Sequence, residues 1–507
     1  MYITLTPHYA SLLTCKVFTI CVYRLVFHPL KDYPGPWIAK VTDLYGVFIA
    51  LGTKEHFVTR ENHLKYGPVI RQGPNRLVFN SAKALHESSE ATARLARATN
   101  VWNAADKRLH RSRRRLVGET VSERSMRRFE PVMTEQIDIF IKQILDSARS
   151  PNVETNIVNM THRIKRLSFD IVSRLAFGYP LDSQTKQTYR FIMEALNAGT
   201  QINYVSLQLP SIALLQPFLF AGIFNYGRLR DYHEMVTKMI SSRLSKDVKS
   251  IHDLYSVIAN EIDTETDDEI GSNDLWAEAV FFFPAGGDTV STGLCALLFY
   301  LSRNPESYEK LAKEIRTAFT NADEIQGGQK LTGCRYLRAC IDEALRLSPP
   351  LAGALWRELP VSDKETEPLI VDGHVIPPGT QIGVSTYTLH HNEDYFPDPF
   401  AFQPERWLAL EDETERKQAH NAFAAFSLGS RGCAGKAMAY LESSLVVAKT
   451  LWYFDFESAP GSLGKVGTTP NATGADEFQL LNVFTSSHDG PNLIFHPRGD
   501  SWRELQA

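Results

Sequence analysis

Cysteine is scarce in this chain. Six occur in 507 residues, as Cys15, Cys21, Cys295, Cys334, Cys340 and Cys433, and no C-x-x-C pair is among them. That spacing excludes a dense disulfide framework and a clustered zinc site, and it fits a reducing compartment. Charge imbalance is also missing. The formal net charge is −4, so nothing global points to nucleic acid or to an acidic substrate. Internal repeats, low-complexity tracts, a G-x-G-x-x-G dinucleotide loop and a flavin domain are not seen, and no composition break marks an inter-domain linker. What is present is globular: 43% hydrophobic and 22% charged residues, ample for a large core.

One long apolar run stands at the N-terminus, YASLLTCKVFTICVYRLVF from Tyr9 to Phe27. It is about long enough to cross a bilayer, and Lys16 and Arg24 can snorkel to an interface. With no small-residue cleavage site after it, the run reads as an anchor rather than a secretory signal. HPLKDYPGP, His28 to Pro36, reads as a stiff proline-rich linker. The expected division is residues 1–27 as a membrane anchor, 28–36 as linker and 37–507 as the catalytic body. The bland alternative for the first segment is an ordinary apolar helix. The sequons at Asn159 and Asn471 are inert if the body faces the cytosol.

Periodicity predicts a mainly helical protein with a smaller β-rich part. YGPVIRQGPNRLVF, Tyr66 to Phe79, reads as two short strands around a Gly-Pro-Asn turn. From Ser81 to Ser348 the pattern is mostly helical, interrupted by the acidic stretch Asn260 to Asp274. Leu369 to Thr386 has strand-like runs with Asp-Gly and Pro-Pro-Gly turns. Helical spacing returns from Lys436 to about Phe456, and the C-terminus alternates again.

The most informative stretch is FSLGSRGCAGK, Phe426 to Lys436. Most free cysteines are small buried hydrophobes. Cys433 instead sits among Gly429, Gly432 and Gly435, two residues after Arg431, and opens a helix. Glycines let the backbone approach a large flat ligand. A helix N-terminus stabilises an adjacent anion, which suits a thiolate. Phe426 would shield that sulfur, as an axial ligand to haem iron requires. No local signature pairs Cys433 with a protease base.

F-x-x-G-x-R-x-C-x-G resembles the haem-binding loop of the cytochrome P-450 superfamily. Four further motifs, in the family's order, extend the resemblance from about Tyr33 to Arg498. EALR supplies Glu343 and Arg346, and FQPERW supplies Arg406; the resemblance implies that these three lock the fold behind the haem. FFFPAGGDTVSTGLCALLFYL, Phe281 to Leu301, is apolar nearly all round, so its Asp288 and Thr289 need a reason. It is similar to the family's oxygen-binding groove. That implies a Thr289 hydroxyl bonded to oxygen at the iron and an Asp288 that relays protons. Gly286 and Gly287 leave the helix surface bare for a ligand, whereas Pro284 in mid-helix bends the axis.

In RLHRSRRR, Arg108 to Arg115, His110 and Arg114 share a helix face where the family has W-x-x-x-R. The resemblance gives them one haem propionate and gives Arg357 and Arg431 further propionate contacts. Arg111, Arg113 and Arg115 would face an acidic redox partner. The competing reading of this run, a nucleic-acid patch, lacks interleaved aromatics.

The expectation is therefore a P-450-like triangular helical fold enclosing haem b. The chemistry implied is monooxygenation of a hydrophobic terpenoid or polyketide in fungal secondary metabolism, with O2 and electrons from an NADPH-cytochrome reductase. The place implied is the endoplasmic reticulum membrane, with the body in the cytosol. The substrate pocket is expected from Val101 to Ala105, Gln201 to Phe224, Phe281 to Ala285, Leu351 to Leu355 and Phe484. Two rivals share the cysteine: a haem-thiolate isomerase or dehydratase needing no reductase, and a non-catalytic haem sensor.

Overall fold

The computed structural model describes residues 7–89, 101, 102, 104, 106–150, 156–209, 226–245, 253, 278, 281–358, 368–408, 413–470 and 474–506. The acidic stretch from Asn260 to Asp274, the Asn471 sequon and residues 210–224 of the expected pocket lie outside them.

Helices dominate. In chain order those used below are α1 (Pro7–Val22), α2 (Leu44–Leu51), α3 (Glu55–Tyr66), α4 (Lys107–Thr120), α5 (Glu123–Ala148), α6 (Met160–Phe177), α7 (Ile192–Gln208), α8 (Tyr226–Leu244), α9 (Thr289–Leu301), α10 (Arg335–Leu347), α11 (Thr386–His390) and α12 (Lys436–Tyr453). Side-chain caps start several of them. Asp106 accepts from the N–H groups of Arg108 and Leu109 ahead of α4, and Ser122 from that of Ser125 ahead of α5. Gly178 closes α6 in the left-handed region at φ 55°, where glycine is unstrained.

The main sheet has order β1-β2-β7-β4, from Val69–Gly73, Arg76–Phe79, Gln381–Val384 and Arg357–Glu358. The expected hairpin forms between β1 and β2, and β2 runs parallel to β7. The turn at Asp372 and Gly373 joins two further strands, β5 (Leu369–Val371) and β6 (His374–Ile376). The helical pattern of the last third ends slightly earlier than its spacing suggests, because Phe454 already starts β8 (Phe454–Ser458), which pairs with β13 (Asn492–Pro497), itself paired with β3 (Ile157–Asn159).

The core lies between α5, α6, α9, α10 and α12. The helix running from Phe281 to Leu301 passes through it. It is long and apolar enough to cross a bilayer, yet most of it is buried inside the protein. Pro284 does not end this helix. A wider π turn spans Pro284–Asp288 and absorbs the missing N–H before α9 continues. The stretch from His28 to Pro36 is not a free spacer. Leu30 is fully buried, and the buried Arg71 guanidinium donates to the carbonyls of Arg24 at 2.9 Å and Leu30 at 3.3 Å.

Candidate active site

A large chamber of about 1650 Å³ opens beside the Phe281–Leu301 helix, between it and the cysteine loop. Ordinary ligand pockets hold about 300–1,000 Å³, so this one has room for a bulky cofactor and a substrate together. The expected wall is largely there. Val101, Trp102, Ile202, Phe281, Leu351, Leu355 and Phe484 all line it.

Cys433 faces this chamber from the loop before α12. Its N–H donates to the Phe426 carbonyl at 2.7 Å, which closes the loop under the sulfur. The loop turns at Ser427 (φ 54°) and Gly429 (φ 66°), both left-handed, and glycine is the unstrained choice for such a turn. Gly432 and Gly435 have ordinary backbone angles. Gly435 places its N–H where it favours the Cys433 thiolate, rather than supplying conformational freedom. The thiol is open to the chamber yet packed round by protein. Burial pushes it up, while that N–H, Arg114 and Lys436 favour the thiolate. The Phe426 ring lies 4.9 Å from that of Tyr440 and lines the chamber beside the sulfur.

Four polar groups converge near this end: His110 and Arg114 from α4, Arg357 from β4 and Arg431 from the loop. Burial, then Arg431, Arg114 and Arg357, pushes His110 down to about 4. At neutral pH it therefore offers a neutral N–H, and the arginines carry the charge. Arg357 is pushed down to about 10 by burial and by Arg431. None of the three arginines has a carboxylate partner among the described residues. Arg431 donates to backbone carbonyls only, Trp102 at 3.4 Å and Ala104 at 2.6 Å. Three uncompensated guanidiniums beside a thiol fit a large flat ligand with two carboxylates, which is what haem b presents. Of the remaining basic residues on α4, Arg111 and Arg115 are exposed. Arg113 turns inward instead and pairs with the buried Glu278 at 3.1 Å.

The oxygen-groove residues separate. Thr289 lines the chamber, and its hydroxyl donates to the Ala285 carbonyl at 2.6 Å. Asp288 turns to the other side of the helix. There it is buried and lies 3.3 Å from the Lys165 ammonium of α6, itself buried. The glycines also do something other than expected. A side chain at Gly286 would collide with Val172, and one at Gly287 with Phe169, so these positions let α6 pack closely. Gly286 still lines the chamber.

Behind the loop, Glu343 is fully buried and saturated. It accepts from Arg346 at 2.8 and 2.9 Å, Arg406 at 2.9 Å, the Trp407 indole at 2.9 Å and the Gln403 N–H at 3.0 Å. Burial alone would raise it; Arg346 and Arg406 outweigh that and hold it low. Sequence reasoning missed His390. Its Nδ1 lies 3.0 Å from the Arg346 carbonyl, and its Nε2 accepts the Ala424 N–H at 2.8 Å. This one ring joins the Glu343 network to the cysteine loop. It also missed Lys165, which no spacing rule links to Asp288.

The comparisons with known proteins agree with this geometry. A sequence model of the Cytochrome P450 family matches residues 44–470. The chain is similar to Cytochrome P450 monooxygenase AKT7 of Alternaria alternata, 33% identical over 98% of both chains. It is also similar to Cytochrome P450 monooxygenase poxM of Penicillium oxalicum, 33% identical over 96% of this chain and 93% of that one. Cytochrome P450 monooxygenase apf7 of Gibberella fujikuroi is 34% identical over 94% and 96%. With its thiol, its arginine cradle and its chamber in the family's order, the chain belongs to the cytochrome P450 family and is a haem b monooxygenase.

Proposed function

We propose that Cys433 supplies the axial thiolate of the haem. The substrate is a hydrophobic terpenoid or polyketide of fungal secondary metabolism, and the electrons come from an NADPH-cytochrome reductase. The observation that carries this reading is the Cys433 sulfur facing the same chamber as three arginines that have no ion-pair partner among the described residues.

Haem, when bound, supplies the activation of O2. The chain's residues do the rest. Arg114 and His110 would hold one propionate and Arg357 and Arg431 the other, as charge-assisted and neutral donors. Cys433 would hold the iron through sulfur, kept anionic by the Gly435 N–H and Arg114. Thr289 holds a proton at Oγ1 and can turn it from the Ala285 carbonyl into the chamber. Asp288 faces away from that hydroxyl and, held by Lys165, would fix the end of the π turn that positions Thr289. Phe281, Leu351 and Phe484 keep bulk water from the reacting carbon.

Residues 1–27 serve as the membrane anchor and 37–507 as the catalytic body, with the endoplasmic reticulum as the site. Supporting this, Leu12, Val17 and Phe18 are exposed on α1, and the apolar face continues onto the body through Trp37 (70% exposed) and Phe48 (78%). Residues 28–36 connect the two, packed against β1.

Incubation with a terpenoid and polyketide panel, an NADPH-dependent reductase and isotopically labelled O2 tests the reaction. One labelled oxygen atom should enter the product. Turnover without NADPH would mean an isomerase or dehydratase; haem binding with no turnover across the panel would mean a sensor.

A further inference from the structure

Resting on the monooxygenase reading of the chamber, we propose that Glu55, a buried carboxyl outside the chamber, is a positioning residue for substrate selection. Through Asn482 it holds Phe484 at a strained hairpin tip that pushes the Phe484 ring into the chamber.

Phe484 is the single residue between two paired strands, Leu481–Val483 and Thr485–Ser487. Its φ is 87°, a left-handed value that strains a bulky residue and that glycine adopts freely. Such strain persists only where the surroundings impose it. The ring lines the chamber and meets that of Trp102 edge-on at 5.0 Å. Both strands of the hairpin are tied down from outside. The Asn482 N–H donates to the Thr53 carbonyl at 2.8 Å, and the Ser486 N–H to that of Pro350 at 2.7 Å.

Asn482 is the link, and it is fully buried. Its Oδ1 accepts the Phe484 N–H at 3.3 Å, and its Nδ2 donates to Glu55 Oε2 at 3.0 Å. One end of the amide holds the tip while Glu55 orients the other. Glu55 opens α3, is 4% exposed, and accepts from the Thr59 hydroxyl at 3.1 Å through its second oxygen. It has no Lys or Arg partner among the described residues. A carboxyl buried without a cation is costly unless its donors are fixed. Here they are fixed by several elements at once. A Cβ on Gly353 would stand 2.6 Å from Glu55 Oε2, 2.9 Å from Asn482 Nδ2 and 3.2 Å from the Tyr204 hydroxyl of α7. The hairpin, α7 and the Leu351–Leu355 segment therefore meet at Glu55, which does not itself line the chamber. Releasing Asn482 lets the tip relax and the ring withdraw. Because small displacements at a reacting site change which groups align, Glu55 sets how much bulk the chamber accepts beside Phe484.

The test uses the haem-loaded protein with two ligands of one chemistry and different size, imidazole and 1-tritylimidazole, read by the Soret shift that nitrogen ligation causes. Glu55→Leu should bind 1-tritylimidazole about three- to tenfold tighter than wild type and imidazole equally well. Phe484→Ala should show the same gain, and the double variant no further gain. Glu55→Gln, which keeps an acceptor for Asn482, should behave as wild type. If Glu55→Leu does not fold, Asn482→Ser replaces it: serine can still accept from the Phe484 N–H but cannot reach Glu55. A second readout needs no haem iron. Phe484→Gly should melt about 1 °C above Phe484→Ala, because glycine removes the left-handed strain, and that gap should vanish once Glu55→Leu or Asn482→Ser is added. Unchanged or weaker 1-tritylimidazole binding in the released variants, equal shifts for both ligands, additive gains in the double variant, or a persisting gap in Tm would overturn the role of Glu55. A wild-type protein that gives no Soret shift with imidazole overturns the monooxygenase reading instead, and the Tm gap still decides Glu55.

Discussion

Cys433 owes its role to what lies within a few ångströms of it. The loop hydrogen bond from its N–H to Phe426, the Gly435 N–H and the Arg114 guanidinium all favour an anion in a place where burial opposes one. Phe426 and Gly435 were legible in the sequence because each has a fixed offset from the cysteine, and Arg114 because it shares a helix face with His110 in RLHRSRRR. The orientation of Asp288 was not. Neighbours on a helix point about 100° apart, and adjacency to Thr289 says nothing about which of the two faces the chamber. The buried Lys165 that claims Asp288 comes from a helix more than a hundred residues earlier in the chain. Two outcomes follow at this scale. Thr289→Ala should leave haem binding unchanged while NADPH consumption outruns product, measured as the ratio of the two, because the proton donor facing the chamber is lost. Lys165→Met should lower stability by about 3–5 kcal/mol in denaturant unfolding, since it strands a buried carboxylate; an unchanged midpoint would contradict the pairing.

At the level of elements, the motifs gave partners but not connections. Glu343, Arg346 and Arg406 meet as their motif order implied, whereas Trp407 and the Gln403 N–H complete the carboxylate's shell through backbone and indole donors that composition does not reveal. His390 was hidden for the same reason: it works through main-chain groups of Arg346 and Ala424. Burial and then Arg346 push His390 down to about 3, so the folded state holds it neutral while the unfolded chain takes up a proton below about 6.5. The unfolded state thus binds more protons as pH falls through 6.5, and stability falls with it. His390→Gln should cost about 1–3 kcal/mol at pH 7 through the lost bond to Arg346. It should also flatten the loss of stability between pH 6.5 and 4.5 by about 1.4 kcal/mol per pH unit. Equal slopes in wild type and variant would show that this ring is not the titrating group. The π turn was visible only as a conflict, a proline inside an apolar helix. Its resolution depends on α6, whose Val172 and Phe169 occupy the space that Gly286 and Gly287 leave.

For the whole molecule, fold class was legible because periodicity changes along the chain from helical to alternating. The chamber was legible only as a set of expected segments, since no sequence rule brings Val101, Ile202, Phe281, Leu351 and Phe484 to one wall. The anchor was legible as a run of apolar residues, but its continuation onto Trp37 and Phe48 appears only when α1 and α2 are seen in place. Deleting residues 1–27 should therefore weaken, not abolish, binding to neutral lipid vesicles, and a further Trp37→Ser and Phe48→Ser pair should remove the rest in a flotation assay. Haem content should stay constant throughout. The central claim is a thiolate from Cys433 on the haem iron, and the reduced carbon monoxide difference spectrum tests it most directly. The account predicts a strongly red-shifted Soret band in the wild-type protein that disappears in Cys433→Ser. A band at the shorter wavelength of a non-thiolate ligand in well-folded wild-type protein, or a red-shifted band that persists in Cys433→Ser, would contradict it.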